Sequence, residues 1–191
     1  MAADQDQTTG SPHTSPDRDP DLEQLVSGRI RDIPDYPQPG ILFKDITPLL
    51  ADGSALRTVV DAMGAGFGPI DVVTGIEARG FILAAPVACC LGAGFVPVRK
   101  RGKLPAATYS ETYELEYGTA TIEVHTDGFA PGQRVLIVDD VLATGGTARA
   151  AAALVRRAGA EVAGVSVLLE LTALNGRAKL AGLDVRALLP A

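Results

Sequence analysis

The sequence has no excess of basic charge. Its 17 Lys and Arg stand against 23 Asp and Glu, a formal net charge of −6. Bulk attraction to nucleic acid needs the opposite balance, so no nucleic-acid partner is expected, although a local basic patch stays open. No apolar run reaches the length of a membrane-spanning helix, so no membrane partner is expected either. The opening MAADQDQTTGSPHTSPDRDP lacks the basic start and apolar centre of a secretory signal, and the expected compartment is the cytoplasm. Cysteine occurs only as the adjacent pair Cys89 and Cys90. Neighbouring residues close a disulfide only with strain, and two thiols alone do not build a zinc site. They read as reduced thiols on or beside a packed helix. Of the two histidines, His13 falls in the polar opening and His125 reads as structural.

What is present suits one domain. A chain of 191 residues, 47% hydrophobic and 21% charged, can bury a full core without a covalent staple. Residues 1–20 are mostly Asp, Gln, Thr, Ser, Pro and Gly, too polar to offset the entropy of ordering. They read as a disordered acidic tail, and residues 21–191 as the folded domain. Leu22, Leu25, Val26 and Ile30 have helical spacing. Pro34, Pro37, Pro39 and Gly40 then impose an extended, turn-rich path into the apolar Ile41, Leu42 and Phe43, an ordered loop rather than a linker. Ser54 is a plausible cap for a helix from Ala55 to about Phe67. Short β-branched runs at 71–74, 95–98, 135–138, 162–169 and 185–189 alternate with helical stretches at 81–91 and after Gly146. This predicts an α/β fold with a mostly parallel sheet flanked by helices. Alternation around Gly118 adds an antiparallel hairpin.

The most informative stretch is VLIVDDVLATGGTARA, Val135 to Ala150. A buried strand runs into Asp139 and Asp140, and the loop Ala143-Thr144-Gly145-Gly146-Thr147 opens a helix. A helix N-terminus presents unpaired N–H groups and a partial positive charge, which suits a phosphate. Glycines let the backbone approach it. Two carboxylates at a strand's C-terminal edge can accept hydrogen bonds from vicinal sugar hydroxyls. A polar strand end and a Gly-Gly turn are each commonplace, but in this order and spacing they point to a sugar phosphate. The pattern is neither a P-loop nor a dinucleotide turn.

Three other segments read less sharply. GIEARGF, Gly75 to Phe81, follows a strand and opens a helix, so Arg79 could fork onto phosphate, or Glu77 and Arg79 could form a local ion pair. Arg99, Lys100, Arg101 and Lys103 form the densest basic run, either a solvated face or a locally positive field for a polyanion. Glu114 and Glu116 share one face of the hairpin, either in solvent or in a site. Leu42 and Phe43 are either ordinary core or a platform for a flat base. Residues 104–114 read as a lid that could exclude water.

Residues 139–147 resemble the phosphoribosyl pyrophosphate (PRPP) signature of the phosphoribosyltransferases. From Ile30 to about Leu180 the sequence is similar to the adenine phosphoribosyltransferases. The segments that carry the likeness are IPDYPQPGILFKDITPLL (33–50), GIEARGF (75–81), VRKRGKLP (98–105) and YELEYG (113–118). The resemblance implies a type I phosphoribosyltransferase fold with a hairpin lid and an N-terminal hood. It implies transfer of the phosphoribosyl group of PRPP to adenine, giving AMP and pyrophosphate in purine salvage. It places the ribose hydroxyls on Asp139 and Asp140 and the 5-phosphate on Ala143, Thr144, Gly145, Gly146 and Thr147. Pyrophosphate would meet Glu77, Ala78 and Arg79, with a cis peptide between Glu77 and Ala78, and also Arg99, Lys100 and Lys103. Adenine would meet the main chain of Leu42 and Lys44 and stack on Phe43. Glu116 would be the acid–base residue and Tyr117 would order the lid. Mg²⁺ held mainly through PRPP, and a homodimer, are implied as well. A phosphoribosyltransferase for xanthine or orotate shares the signature, and so would a non-catalytic PRPP sensor.

Overall fold

The computed structural model describes residues 19–114 and 118–191. Helix α1 spans Pro20–Ser27, and Asp19 caps it by accepting the N–H groups of Asp21 and Leu22. The ordered domain therefore includes Asp19 and Pro20, which composition alone assigns to the tail. Residues 1–18 lie outside the described residues.

The proline-rich segment is a hairpin rather than a loop. Strands β1 (Arg31–Pro34) and β2 (Leu42–Asp45) pair antiparallel, with Ile33 opposite Phe43 and Pro34 opposite Leu42. Its turn contains a cis Tyr36–Pro37 bond, and Asp35 accepts the Gly40 N–H at 2.8 Å. A short helix α2, Thr47–Ala51, follows. Helix α3 is Gly53–Gly64, and its cap is Asp52 rather than Ser54. The Asp52 carboxylate accepts from Ala55 and Ser54 N–H and from Arg29, which holds it below the usual carboxylate range.

The main sheet contains β3 (Val72–Ile76), β4 (Gly94–Lys100), β5 (Thr108–Glu114), β6 (Thr119–His125), β7 (Arg134–Leu142), β8 (Glu161–Glu170) and β9 (Val185–Pro190). Their order is β5-β6-β4-β3-β7-β8-β9. The run from β4 to β9 is parallel, and β5 and β6 extend it antiparallel. Helices α4 (Arg79–Leu91) and α5 (Gly146–Arg157) cover opposite faces. Successive β7 residues alternate between the two cores: Val135 and Ile137 face α5, while Leu136 and Val138 face α3 and α4. All four are fully buried, the reason this strand reads as a continuous apolar run.

Two differences from the sequence reading bear on the site. Strand β7 does not end at the acids; it continues through them, pairing Asp139 with Val167 and Leu142 with Glu170. Most of the 104–114 segment is not a free lid, because Thr108–Glu114 pairs with β6 along its whole length.

Candidate active site

The order in which successive strands are added reverses between the parallel neighbours β3 and β7. From β3 the chain crosses to β4 on one side, and it later returns to place β7 on the other. In open α/β sheets such a switch point leaves a crevice beyond the strands' C-terminal ends. A cavity of about 230 Å³ lies there, lined by Glu77, Ala78, Arg79, Lys100, Tyr113, Asp139, Asp140 and Thr147, with Ile76 and Ile122. Segments far apart in the chain thus meet at one cavity.

Both helices that begin at this cavity lack a side-chain cap. Helix α5 starts from Gly145, at φ +76°, and α4 starts from Ala78, just after the cis Glu77–Ala78 bond. Asp19 and Asp52 cap α1 and α3, which lie elsewhere. Uncapped N–H groups at a crevice are anion sites in waiting.

The acids are strongly perturbed. Burial, with Asp140's charge beside it, pushes the Asp139 carboxyl well above the usual range. Asp139 keeps some surface in the cavity, yet protein atoms surround it closely. Asp140 is 6% exposed, and burial raises it too, against the opposing pull of Arg79. Arg79 Nη2 makes an ion-pair contact with Asp140 Oδ2, an oxygen that accepts no hydrogen bond of good geometry. Asp139 Oδ1 accepts the Asp140 N–H at 2.9 Å.

Arg79 also reaches the hood. Its Nη1 donates to the Lys44 carbonyl at 3.3 Å, and its guanidinium carbon lies 4.9 Å from the Phe43 ring centre. Tyr36 packs edge-on against Phe43 with centres 5.1 Å apart. Leu42 is half-exposed, and the Lys44 ammonium pairs with Asp32.

Glu77 turns its carboxylate to the basic segment. It accepts the Lys100 N–H at 3.0 Å and faces Arg99 Nη2 at 3.4 Å, which together hold it below the usual carboxylate range. Arg99 Nη1 in turn donates to the Lys103 carbonyl. From β6, Glu123 accepts the Gly102 N–H at 2.9 Å. Glu77 and Glu123 therefore bracket the turn that displays the cations. Glu123 escaped the sequence reading because only the register opposite Arg99 reveals it. Tyr113, next to Glu114 on β5, lines the cavity. Glu116 and Tyr117 lie outside the described residues. Among the described residues, no group of three or more His, Cys, Asp or Glu could hold a metal ion.

A family model for the phosphoribosyl transferase domain matches residues 65–181. A relative from Thermobifida fusca named adenine phosphoribosyltransferase is 64% identical over 170 residues, covering 88% of this chain and 97% of that one. The chain belongs to the adenine phosphoribosyltransferase family. Solved structures agree with this membership. The adenine phosphoribosyltransferase from Rhodothermus marinus superposes with a TM-score of 0.87 at 52% identity, covering 91% of this chain and all of the other. The Saccharomyces cerevisiae relative, solved with D-2,5-dideoxy-2,5-imino-altritol 1,6-bisphosphate and adenine, gives 0.82 at 36% identity, covering 88% and 99%. The phosphoribosyltransferase fold is thus a mostly parallel sheet with an antiparallel hairpin at one edge.

Proposed function

We propose that the chain transfers the phosphoribosyl group of PRPP to adenine, releasing AMP and pyrophosphate in purine salvage. The observation that carries this reading is the pair of uncapped helix N-termini opening onto one cavity, with Asp139 and Asp140 between them. A substrate with phosphate at one end, pyrophosphate at the other and a diol between matches that arrangement.

In this reading Ala143, Thr144, Gly145, Gly146 and Thr147 hold the 5-phosphate through N–H and hydroxyl groups. Asp139 and Asp140 accept from the ribose hydroxyls. The Ala78 and Arg79 turn takes the pyrophosphate, with Arg99, Lys100 and Lys103 supplying positive charge where the leaving group develops negative charge. Glu77 holds the basic turn in place. Adenine stacks on Phe43 and is read by the main chain of Leu42 and Lys44. N9 attacks ribose C1 as the bond to pyrophosphate breaks, and Glu116 handles the purine proton. Tyr117 orders the hairpin tip that excludes water.

Mg²⁺ fits the donors present. With two carboxylates and no protein cage among the described residues, the ion would be held chiefly by PRPP oxygens and water, near Asp139 and Asp140. It would supply charge neutralisation of the pyrophosphate group. We further assign the protein to the cytoplasm and to a homodimer, with the catalytic domain following the acidic N-terminal segment. No helix among the described residues is long and apolar enough to cross a membrane.

The test is pyrophosphate release from PRPP and Mg²⁺ with adenine, hypoxanthine, guanine, xanthine and orotate in parallel. Turnover with adenine alone is expected. Turnover with xanthine or orotate instead would overturn the base-site reading, and PRPP binding without turnover would make the protein a sensor.

A further inference from the structure

The sugar-phosphate loop rests on a part of the chain that its motif does not contain. Residues 143–146 leave β7 and pass directly against Gly176, at the start of a 3₁₀ turn, Gly176–Leu180. The two backbones touch so closely that neither glycine has room for a side chain. A Cβ on Gly176 would lie 2.1 Å from the Ala143 carbonyl oxygen and 2.8 Å from the Gly145 nitrogen. A Cβ on Gly145 would lie 2.2 Å from the Gly176 oxygen. Contacts that short cannot be relieved by turning a side chain, because both partners are backbone.

The next residue fixes where Gly176 lies. Arg177 forks onto the carboxylate of Glu170, with Nε donating to Oε1 at 3.0 Å and Nη2 donating to Oε2. Its Nη1 donates to the Val185 carbonyl. Glu170 is 8% exposed and ends β8. There it stands opposite Leu142, the last β7 residue before the loop, and the following Leu171 N–H donates to the Leu142 carbonyl at 2.9 Å. One residue thus controls both supports of the loop: its strand register sets where the loop begins, and its side chain, through Arg177, sets the surface the loop lies on.

We infer that Glu170 and Arg177 are positioning residues for the PRPP 5-phosphate, acting through Gly176 on the loop 143–146. This deepens the proposed function and rests on that loop being the phosphate site. A bidentate fork fixes angle as well as distance, which a single hydrogen bond does not. Phosphate held by several backbone N–H groups depends on their placement, and a misplacement of about 1 Å can cost about 100-fold.

The experiment is isothermal titration of the full chain with ribose 5-phosphate, which reads this loop. Mg²⁺-pyrophosphate is titrated in parallel, to read the separate turn at Ala78 and Arg79. Glu170→Gln and Arg177→Gln are each expected to weaken ribose 5-phosphate about tenfold or more while leaving pyrophosphate affinity unchanged. The double variant is expected to be no weaker than the worse single one, since both changes break the same link. Arg177→Lys keeps the charge but loses the fork, and a smaller loss in the same direction is expected. Folded Gln variants with wild-type affinity for ribose 5-phosphate would overturn the inference. So would equal losses for both ligands, which would make the pair a general prop. If the Gln variants do not fold, Arg177→Lys decides, and wild-type affinity there overturns it. Failure of the unsubstituted protein to bind ribose 5-phosphate would instead overturn the loop assignment.

Discussion

Arg79, the first residue of α4, closes an ion pair with Asp140 of β7, so the turn that follows β3 is tied to the acids of the neighbouring strand. The same guanidinium donates to the Lys44 carbonyl and lies over Phe43. One side chain therefore connects the turn at Ala78, Asp140 and the Phe43 ring, the groups proposed for pyrophosphate, ribose and base. Lysine can keep the charge but cannot fork and stack together. Arg79→Lys is expected to raise KM for both PRPP and adenine by about tenfold, the worth of a charge-assisted hydrogen bond. Lys100→Ala, which touches no part of the hood, is expected to raise KM for PRPP alone. Steady-state kinetics with each substrate varied would check this; an Arg79→Lys effect confined to one substrate would refute the connection.

The raised carboxyls make stability depend on pH in a particular direction. The folded protein keeps a proton on Asp139 at pH values where the unfolded chain has lost it. Folding stability from this group is therefore intact below the ordinary carboxylate range, and it falls as pH rises through the raised folded value. Glu77, held low by Lys100 and Arg99, acts oppositely: its contribution is present above the ordinary range and lost as pH falls through the depressed value. Asp139→Asn removes the first effect. The unliganded variant is expected to melt higher than the parent at pH 8, with the difference shrinking toward pH 5. Thermal denaturation across that range would show it, and a constant offset would contradict the burial argument.

How far the sequence disclosed this arrangement depended on whether a signal was local. Asp139, Asp140 and the glycines after them lie in one contiguous stretch, and the helix they open begins at Gly146 as the motif requires. The mostly parallel sheet followed from the alternation of strands and helices. Pairing at long range stayed hidden. Prolines at 34, 37 and 39 suppress local helix but say nothing of Ile33 pairing with Phe43. The continuation of β7 through its acids depends on β8 alongside it. Glu123 under Gly102, and Gly176 under Gly145, are backbone approaches between segments with no common motif.

The boundary of the acidic tail is testable by a pair of truncations. Removing residues 1–18 leaves Asp19 able to cap α1, so kcat/KM, dimer content and Tm are expected to be unchanged. Removing residues 1–20 deletes the cap and the first helical residue of α1, whose Val26 is fully buried. Loss of an Asp cap costs about 1 kcal/mol, so Tm is expected to fall while kcat/KM stays level. A loss of activity in the shorter truncation would show that the tail contributes more than solvated charge.

The acid–base assignment separates two glutamates two residues apart. Glu114 is the last residue of β5, exposed and opposite Thr119. Glu116 lies outside the described residues, and its role rests on the match of Tyr113 to Gly118 with the family segment. If Glu116 handles the purine proton, Glu116→Gln keeps shape and hydrogen bonding but removes the ionisable group. The expected result is a fall in kcat of about 100-fold or more, with KM for PRPP little changed, because the phosphate and pyrophosphate turns are untouched. Glu114→Gln is expected to behave as the parent. Near-normal kcat in Glu116→Gln would remove the assignment, and a loss confined to Glu114→Gln would transfer it to the strand end. A rise in KM for PRPP with kcat preserved would instead make Glu116 part of the closing hairpin rather than of the chemistry.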